Sequence, residues 1–183
     1  SLILVLAWSL ATLTEELQTA TYISHRLVAL QWSPLWLPAL AFGAGALVAF
    51  STGTSWGTMA ILYPLLLPAG SAMLKAQGWG MEESLPIFYQ LVSSILAGAV
   101  LGDHCSPISD TTIMSSLSSS CNHLAHVRTQ MPYALLAGAI ALFLGTVPTG
   151  YGFPWWLSFL ISAVTLGVVL RLLGQRVEEP ATD

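Results

Sequence analysis

Charge is what this chain has least of. Of its 183 residues five are Lys or Arg and nine are Asp or Glu, 8% in all, against 55% hydrophobic residues and a mean hydropathy of +0.72. Soluble domains carry about 25% charged residues, so the composition excludes an ordinary water-exposed fold and indicates an integral membrane protein. The formal net charge of −4 is spread too thinly for a nucleic-acid partner, and no polybasic run offers a lipid-surface anchor. Cysteine is as sparse: Cys105 and Cys121 are expected to be two small buried thiols rather than a disulfide or a metal pair. Neither HExxH nor paired CxxC spacing occurs, so Asp103, His104, Cys105 and Asp110 do not make a zinc pattern, and no cofactor is expected. No basic region precedes the first apolar stretch and no small-residue cleavage site follows it, unlike a signal peptide. The chain starts at Ser1 inside an apolar segment, as expected of a fragment whose N-terminal part is missing.

What the chain has instead is long uncharged runs. No charge occurs from Leu27 through Leu74 or from Thr129 through Leu170, and a hydrocarbon core of about 30 Å requires about 20 such residues per helix. Residues 2–23 predict a first apolar helix with Glu15 and Glu16 near its far end, either an interfacial pair or a cavity-facing carboxylate. Trp32, Pro34 and Trp36 mark re-entry at headgroup level. Residues 34–69 as one helix would be about 54 Å long, far beyond the core, so the glycines and hydroxyls of 51–58 must break it, as a re-entrant hairpin or as two half-helices. Residues 70–84 read as a polar loop. Residues 85–102 repeat the apolar pattern up to a second polar break at 102–110, followed by a Ser/Thr-rich half from Thr111 to Ser120. After the polar stretch 122–130, two conventional spans are expected at about 131–147 and 154–173, with Trp155 and Trp156 as an interfacial belt. The expected organisation is a transmembrane transporter domain over 1–173 and a polar cytoplasmic tail over 174–183. Its fold class is an all-α polytopic bundle with two discontinuous or re-entrant helices.

Two successive broken segments point to a transport site, because non-helical backbone at membrane depth survives only where it is buried in protein or lines a cavity. The second break carries Asp103 and Asp110, the only formal charges between Ser84 and Val127. On insertion scales a mid-bilayer carboxylate costs roughly 2.5 to 3.5 kcal/mol. Pro107 lacks an amide hydrogen and biases Ser106 away from helical geometry, so the helix is expected to open there. An unwound stretch could turn both carboxylates toward one site, with Ser106, Ser109, Thr111 and Thr112 adding neutral oxygens. Gly53, Gly57, Gly102 and Pro107 are the expected helix breakers. Oxygen donors suit hard cations, sodium or protons rather than zinc. Burial disfavours a charged carboxylate, so such a group holds a proton or a sodium ion but not both, the minimum for exchange. His104 would tune the response near neutrality or serve as a packing histidine. His123, His126 and Arg128 are expected as headgroup-level anchors, with a cytoplasmic pH sensor as the sharper alternative. Ser115, Ser116, Ser118, Ser119 and Ser120 line a polar path or permit close packing.

One decoy stands out. Gly53-Thr54-Ser55-Trp56-Gly57 matches the G-x-S-x-G nucleophile elbow, but that motif needs a strand-turn-helix context and both flanks here read as membrane helices, leaving an intramembrane hydrolase as a remote alternative.

The stretch Gly102-Asp103-His104-Cys105-Ser106-Pro107-Ile108-Ser109-Asp110-Thr111-Thr112, with His126-Val127-Arg128-Thr129-Gln130 and Pro132-Tyr133-Ala134-Leu135, strongly resembles the NhaC family of sodium/proton antiporters. Gly53-Thr54-Ser55-Trp56-Gly57-Thr58 is similar to that family's other glycine-rich break. Asn122 and Ala125 stand where the family pattern has an acidic residue. The resemblance implies a secondary transporter with inverted repeats, of which this chain is the C-terminal part, and cation binding at Asp103 and Asp110 with the hydroxyls of both breaks nearby, Thr52, Thr54 and Ser55 among them. The family also includes exchangers of organic acids such as malate and lactate, which forms the second reading. The implied partners are sodium ions, protons and the lipid bilayer, and a homo-oligomer is compatible with this reading. By the positive-inside rule the loop with Arg128 and the C-terminus lie on the cytoplasmic side, in a prokaryotic plasma membrane.

Overall fold

The structure is a computed structural model, and it describes residues 33–174 together with scattered positions between 5 and 26. The expected helix 2–23 and the tail beyond Gly174 therefore lie largely outside the described residues, as do Glu15 and Trp32; Glu16 is described and exposed. Among the described residues there is no strand. Helix α1 (Leu37–Thr52) is entered through a 3-10 turn, Pro34–Trp36, whose first residue Pro34 supplies the fixed φ that suits a helix start. Helix α2 is Ser55–Ala76, α3 is Met81–Cys105 and the short α4 is Asp110–Ser118. Helix α5 runs His123–Gly150 with a π-turn segment at Ala141–Thr146, and α6 is Trp155–Leu173. Among the described residues five helices are long and apolar enough to cross a membrane, and α4, at nine residues, is not one of them.

Close contacts fix the directions. Helices α1 and α3 run parallel and pressed together: a Cβ on Gly98 would overlap the Phe42 carbonyl oxygen, and one on Gly102 would overlap that of Ala46 and stand 2.7 Å from the Phe50 amide nitrogen. In lipid, where burying apolar surface gains little, such small-residue approaches let backbones pack by dispersion. Helix α2 returns antiparallel to α1, since Gly70 lies against the side chains of Leu91 and Leu37, level with the start of α1. Leu37, Ala41, Ala49, Met59, Leu62, Leu91, Ile95 and Ala99 form the buried core between these three helices. Helix α5 runs back along α3, with Gly138 against Leu101 and the Gln90 amide donating to the Thr146 carbonyl at 2.7 Å. Helix α6 packs back on α5, where the Ser158 hydroxyl donates to the Leu144 carbonyl.

The two breaks take different forms. The first is the tip of a hairpin with arms of 16 and 22 residues, and the second interrupts a helix that resumes only as α4. Both breaks lie at one end of the bundle, with Arg128 and Arg171 toward that end and Lys75 at the other.

Several expected boundaries move. The polar loop 70–84 shrinks to 77–80, because α2 continues to Ala76 and α3 opens at Met81 behind a Gly80 N–H that donates to the Glu83 carboxylate at 3.2 Å. The polar stretch 122–130 is helical from His123: Asn122 caps α5, its side-chain oxygen accepting from the Ala125 N–H at 3.2 Å. Gly57 and Gly102 are not breakers; they lie inside α2 and α3 and both serve close approach, a Cβ on Gly57 standing 2.7 Å from the Thr54 methyl. Of the two cysteines, Cys105 is buried as expected but Cys121 is exposed, and both are free.

Candidate functional site

At the first break Gly53 caps α1 in the left-handed region (φ 69°), its N–H donating to the Ala49 carbonyl. That conformation favours glycine, and space demands it as well: a Cβ here would stand 2.8 Å from the Ile108 carbonyl oxygen. The hairpin tip therefore touches the backbone of the second break. Thr54 then caps α2, its hydroxyl accepting from the Gly57 N–H at 3.2 Å. The hydroxyls of Thr52 and Thr58 donate to the carbonyls of Val48 and Thr54, at 2.9 and 2.8 Å. Ser55 opens α2 and is half-buried, and Trp56 beside it is 80% exposed. The elbow-like motif thus sits between two helices, not after a strand, and lacks the context its hydrolase reading needs.

At the second break α3 ends at Cys105, and Ser106 turns extended (φ −78°, ψ 126°), as the following proline dictates. Ser106 and Ser109 are fully buried. The Ser106 N–H donates back to the Asp103 carbonyl at 3.1 Å, and the Ser106 hydroxyl accepts from the Ile108 N–H at 3.4 Å, so the opened backbone is partly satisfied locally.

The buried carboxylate of this break is Asp103. It is 4% exposed, on the last turn of α3, and its two carboxylate oxygens each accept a hydroxyl at 2.9 Å: Oδ1 from Ser109, Oδ2 from Thr111. The two hydroxyls stand 2.8 Å from each other. Ser109 is the residue before α4 and Thr111 lies in its first turn, so the carboxylate faces the N-terminal end of α4, where the backbone dipole favours negative charge. Thr112 is 2% exposed and its hydroxyl oxygen has no hydrogen-bond partner in the structure. A hydroxyl that is neither solvated nor paired is costly, roughly 1 to 3 kcal/mol.

Of the residues expected from sequence, the structure brings together Asp103, Ser109 and Thr111, with Ser106 and Thr112 buried in the same segment and Gly53 against it. Asp110 is not in this cluster. It is exposed at the first position of α4, where a carboxylate complements the helix dipole. The unwound stretch does not turn both carboxylates toward one site, as the sequence suggests; it leaves the second exposed on the first turn of α4. His104 likewise turns from its neighbour: it is exposed, its Nδ1 2.9 Å from the Val100 carbonyl, beside an apolar groove with Ala134 and Gly138. The Cys105 side chain is buried, so Asp103, His104, Cys105 and Asp110 do not converge. Sequence reasoning missed the buried Thr58 and the pairing of His123 with the break: its Nε2 lies 2.6 Å from the Pro107 carbonyl oxygen. The signal was present in a histidine just after a capping Asn, but nothing in the spacing tied it to Pro107.

Residues 1–151 match the family described as the Na+/H+ antiporter family. An uncharacterized protein of Haemophilus influenzae is 41% identical over 95% of this chain, which spans 31% of that protein's length. The malate-2H(+)/Na(+)-lactate antiporter of Bacillus subtilis is 38% identical over 56% of the chain and 19% of its own length. The arginine/ornithine antiporter of Halobacterium salinarum is 33% identical over 60% of the chain and 21% of its own length. No solved structure matches the chain. With this match over most of its length, the chain belongs to the Na+/H+ antiporter family.

Proposed function

We propose that this chain forms the ion-handling part of a secondary antiporter that exchanges sodium for protons, with the Asp103 carboxylate alternately protonated and cation-bound. The observation that carries the reading is the buried Asp103 held by two hydroxyls at the meeting of two helix breaks. Its partners are neutral, so no fixed cation neutralises it, and a proton or sodium ion can take that role. Hydroxyls suit both states: each donates to an unoccupied carboxylate, then rotates to offer a lone pair to a bound cation. The unpaired Thr112 hydroxyl adds a further oxygen, and the C-terminal ends of α1 and α3 favour positive charge. Asp110, exposed at the start of α4, is the entrance carboxylate of this scheme rather than a ligand. The family description supports the ions named. The end bearing Arg128 and Arg171 faces the cytoplasm of a prokaryotic cell, opposite Lys75.

Proteoliposomes containing the full-length parent protein test this. A sodium gradient drives proton movement, Asp103→Asn abolishes it, and Asp110→Asn keeps exchange within about tenfold of wild type. Full exchange in Asp103→Asn would sink the assignment. The second reading, exchange of a small organic acid coupled to sodium or protons, is favoured by the named Bacillus relative. Its carboxylate would be met by the N-terminal ends of α2 and α4. Sodium-coupled uptake of labelled malate or lactate, with no proton movement in its absence, would replace the first reading by the second.

A further inference from the structure

A second group of polar side chains lies at the Lys75 end of the bundle, where α3, α5 and α6 meet. Gln90 of α3 stands thirteen residues before Asp103, roughly 20 Å along the helix axis. It faces the π-turn of α5, a departure from α-helical register of a kind frequent at functional sites. Three successive carbonyls there each take a side-chain donor: Thr146 from the Gln90 amide at 2.7 Å, Gly145 from the Thr149 hydroxyl at 2.8 Å, and Leu144 from the Ser158 hydroxyl of α6. A cavity of about 550 Å³ opens beside them, with Gln90, Ser93, Thr149, Ser158 and Ser162 in its lining. A neighbouring cavity of about 670 Å³ shares Gln90, Ser93 and Thr149 and continues to Gly152 and Pro154 in the α5–α6 turn. Among the described residues no charged side chain lines either one.

A carbonyl only accepts, so the Gln90 nitrogen is the atom at Thr146, and the Oε1 of the same amide is left as an acceptor. Thr149, Ser158 and Ser93 each commit their single proton to a backbone carbonyl, Ser93 to that of Gln90 at 3.0 Å, and keep oxygen lone pairs. Ser162 differs: its hydroxyl oxygen is buried and has no partner. Such a lining has its donors engaged and its acceptors left over, which disfavours a carboxylate and suits a hard cation. Without a carboxylate of its own it holds that cation loosely, and loose holding is what lets an ion move on. We propose that this cavity is a second sodium site, a vestibule at the Lys75 end that takes the ion weakly and partly hydrated on oxygens of Gln90, Thr149 and Ser162. The inference rests on the antiport reading for the identity of the ion. Because no carboxylate lines the vestibule, sodium binds there without releasing a proton.

The test follows sodium binding to the purified full-length parent in detergent by the line width of the sodium NMR signal, which responds to weakly held, fast-exchanging ions, with a proton indicator in the same sample. In Asp103→Asn the sodium-dependent proton release is gone and the line broadening of a weak site remains. Adding Ser162→Ala to that variant weakens the remaining binding about fivefold. The melting temperature does not fall, because the hydroxyl removed has no partner to lose. Thr149→Val, of nearly the same shape, weakens the binding likewise and covers the case in which Ser162→Ala does not fold. A lower melting temperature in Ser162→Ala with the broadening intact makes the hydroxyl merely structural and overturns the vestibule. No residual broadening in Asp103→Asn, or broadening that neither substitution changes, overturns it too. Binding of labelled malate that both substitutions abolish, with sodium broadening unchanged, assigns the cavity to an anion and overturns it as well. Proton release undiminished in Asp103→Asn, beside a weak site that Ser162→Ala removes, overturns the antiport reading at Asp103 and leaves the vestibule.

Discussion

The hairpin tip at 52–58 and the broken helix at 103–112 carry much the same ingredients, glycine or proline with a run of hydroxyls, and they do different work. At the tip each threonine hydroxyl serves the hairpin itself: Thr54 the Gly57 N–H, Thr52 the Val48 carbonyl and Thr58 the Thr54 carbonyl, with the Thr52 and Thr58 oxygens 3.4 Å apart across the turn. At the broken helix Ser109 and Thr111 spend theirs on a buried carboxylate. Hydroxyls satisfied by local backbone shape a turn, while hydroxyls gathered on an ionisable group make a site. The tip supplies a close steric boundary through Gly53, and the proposed ion chemistry lies at Asp103.

That contrast can be broken in graded steps. Gly102→Leu has the largest expected effect, because its side chain would have to enter the α1 backbone at Ala46 and Phe50. Overpacking at such a crossing costs about 3 kcal/mol or more, and the expected outcome is loss of folded protein in detergent by size-exclusion chromatography and thermal melting. Gly53→Val comes next: both the positive φ and the Ile108 carbonyl oppose it. It costs about 2 kcal/mol or more and disables exchange even where the protein folds. If Gly53→Val exchanges normally, the tip does not bound the site.

Thr111→Ala, on the site side of the contrast, removes one of the two hydroxyls from Asp103. Losing a hydrogen bond to a charged group costs about 1.5 to 3 kcal/mol, expected here as a weakening of about tenfold or more in apparent sodium affinity, with folding kept. Thr54→Ala, on the turn side, removes a helix cap worth about 1 kcal/mol. The melting temperature should drop by a few degrees while sodium affinity stays within about twofold. Reversal of these last two outcomes would move the site to the hairpin.

Much of this was legible in the chain. Uncharged runs announced the spans, because a bilayer tolerates little else, and Pro107 announced the second break, because it removes a donor and restricts Ser106. The failures have a common physical source. Glycine marks both a turn and a close approach, so Gly57 and Gly102 read as breakers although they sit inside helices. A polar stretch reads as a loop unless its cap is recognised, and Asn122 made 123–130 the first turns of α5. An opened stretch was expected to turn Asp110 toward Asp103, but a proline fixes where a helix opens and not which way the chain leaves it, and Asp110 stays exposed. His123 lies sixteen residues from the carbonyl it holds, and only the return of α5 along α3 brings them together.

The central claim is that a proton and a sodium ion compete for Asp103, and proton release on sodium binding tests it most directly. Purified full-length parent protein in weakly buffered detergent solution should release protons when sodium chloride is added, and should not when choline chloride is added. Asp103→Asn should release none under the same conditions. Release undiminished in Asp103→Asn would contradict the account.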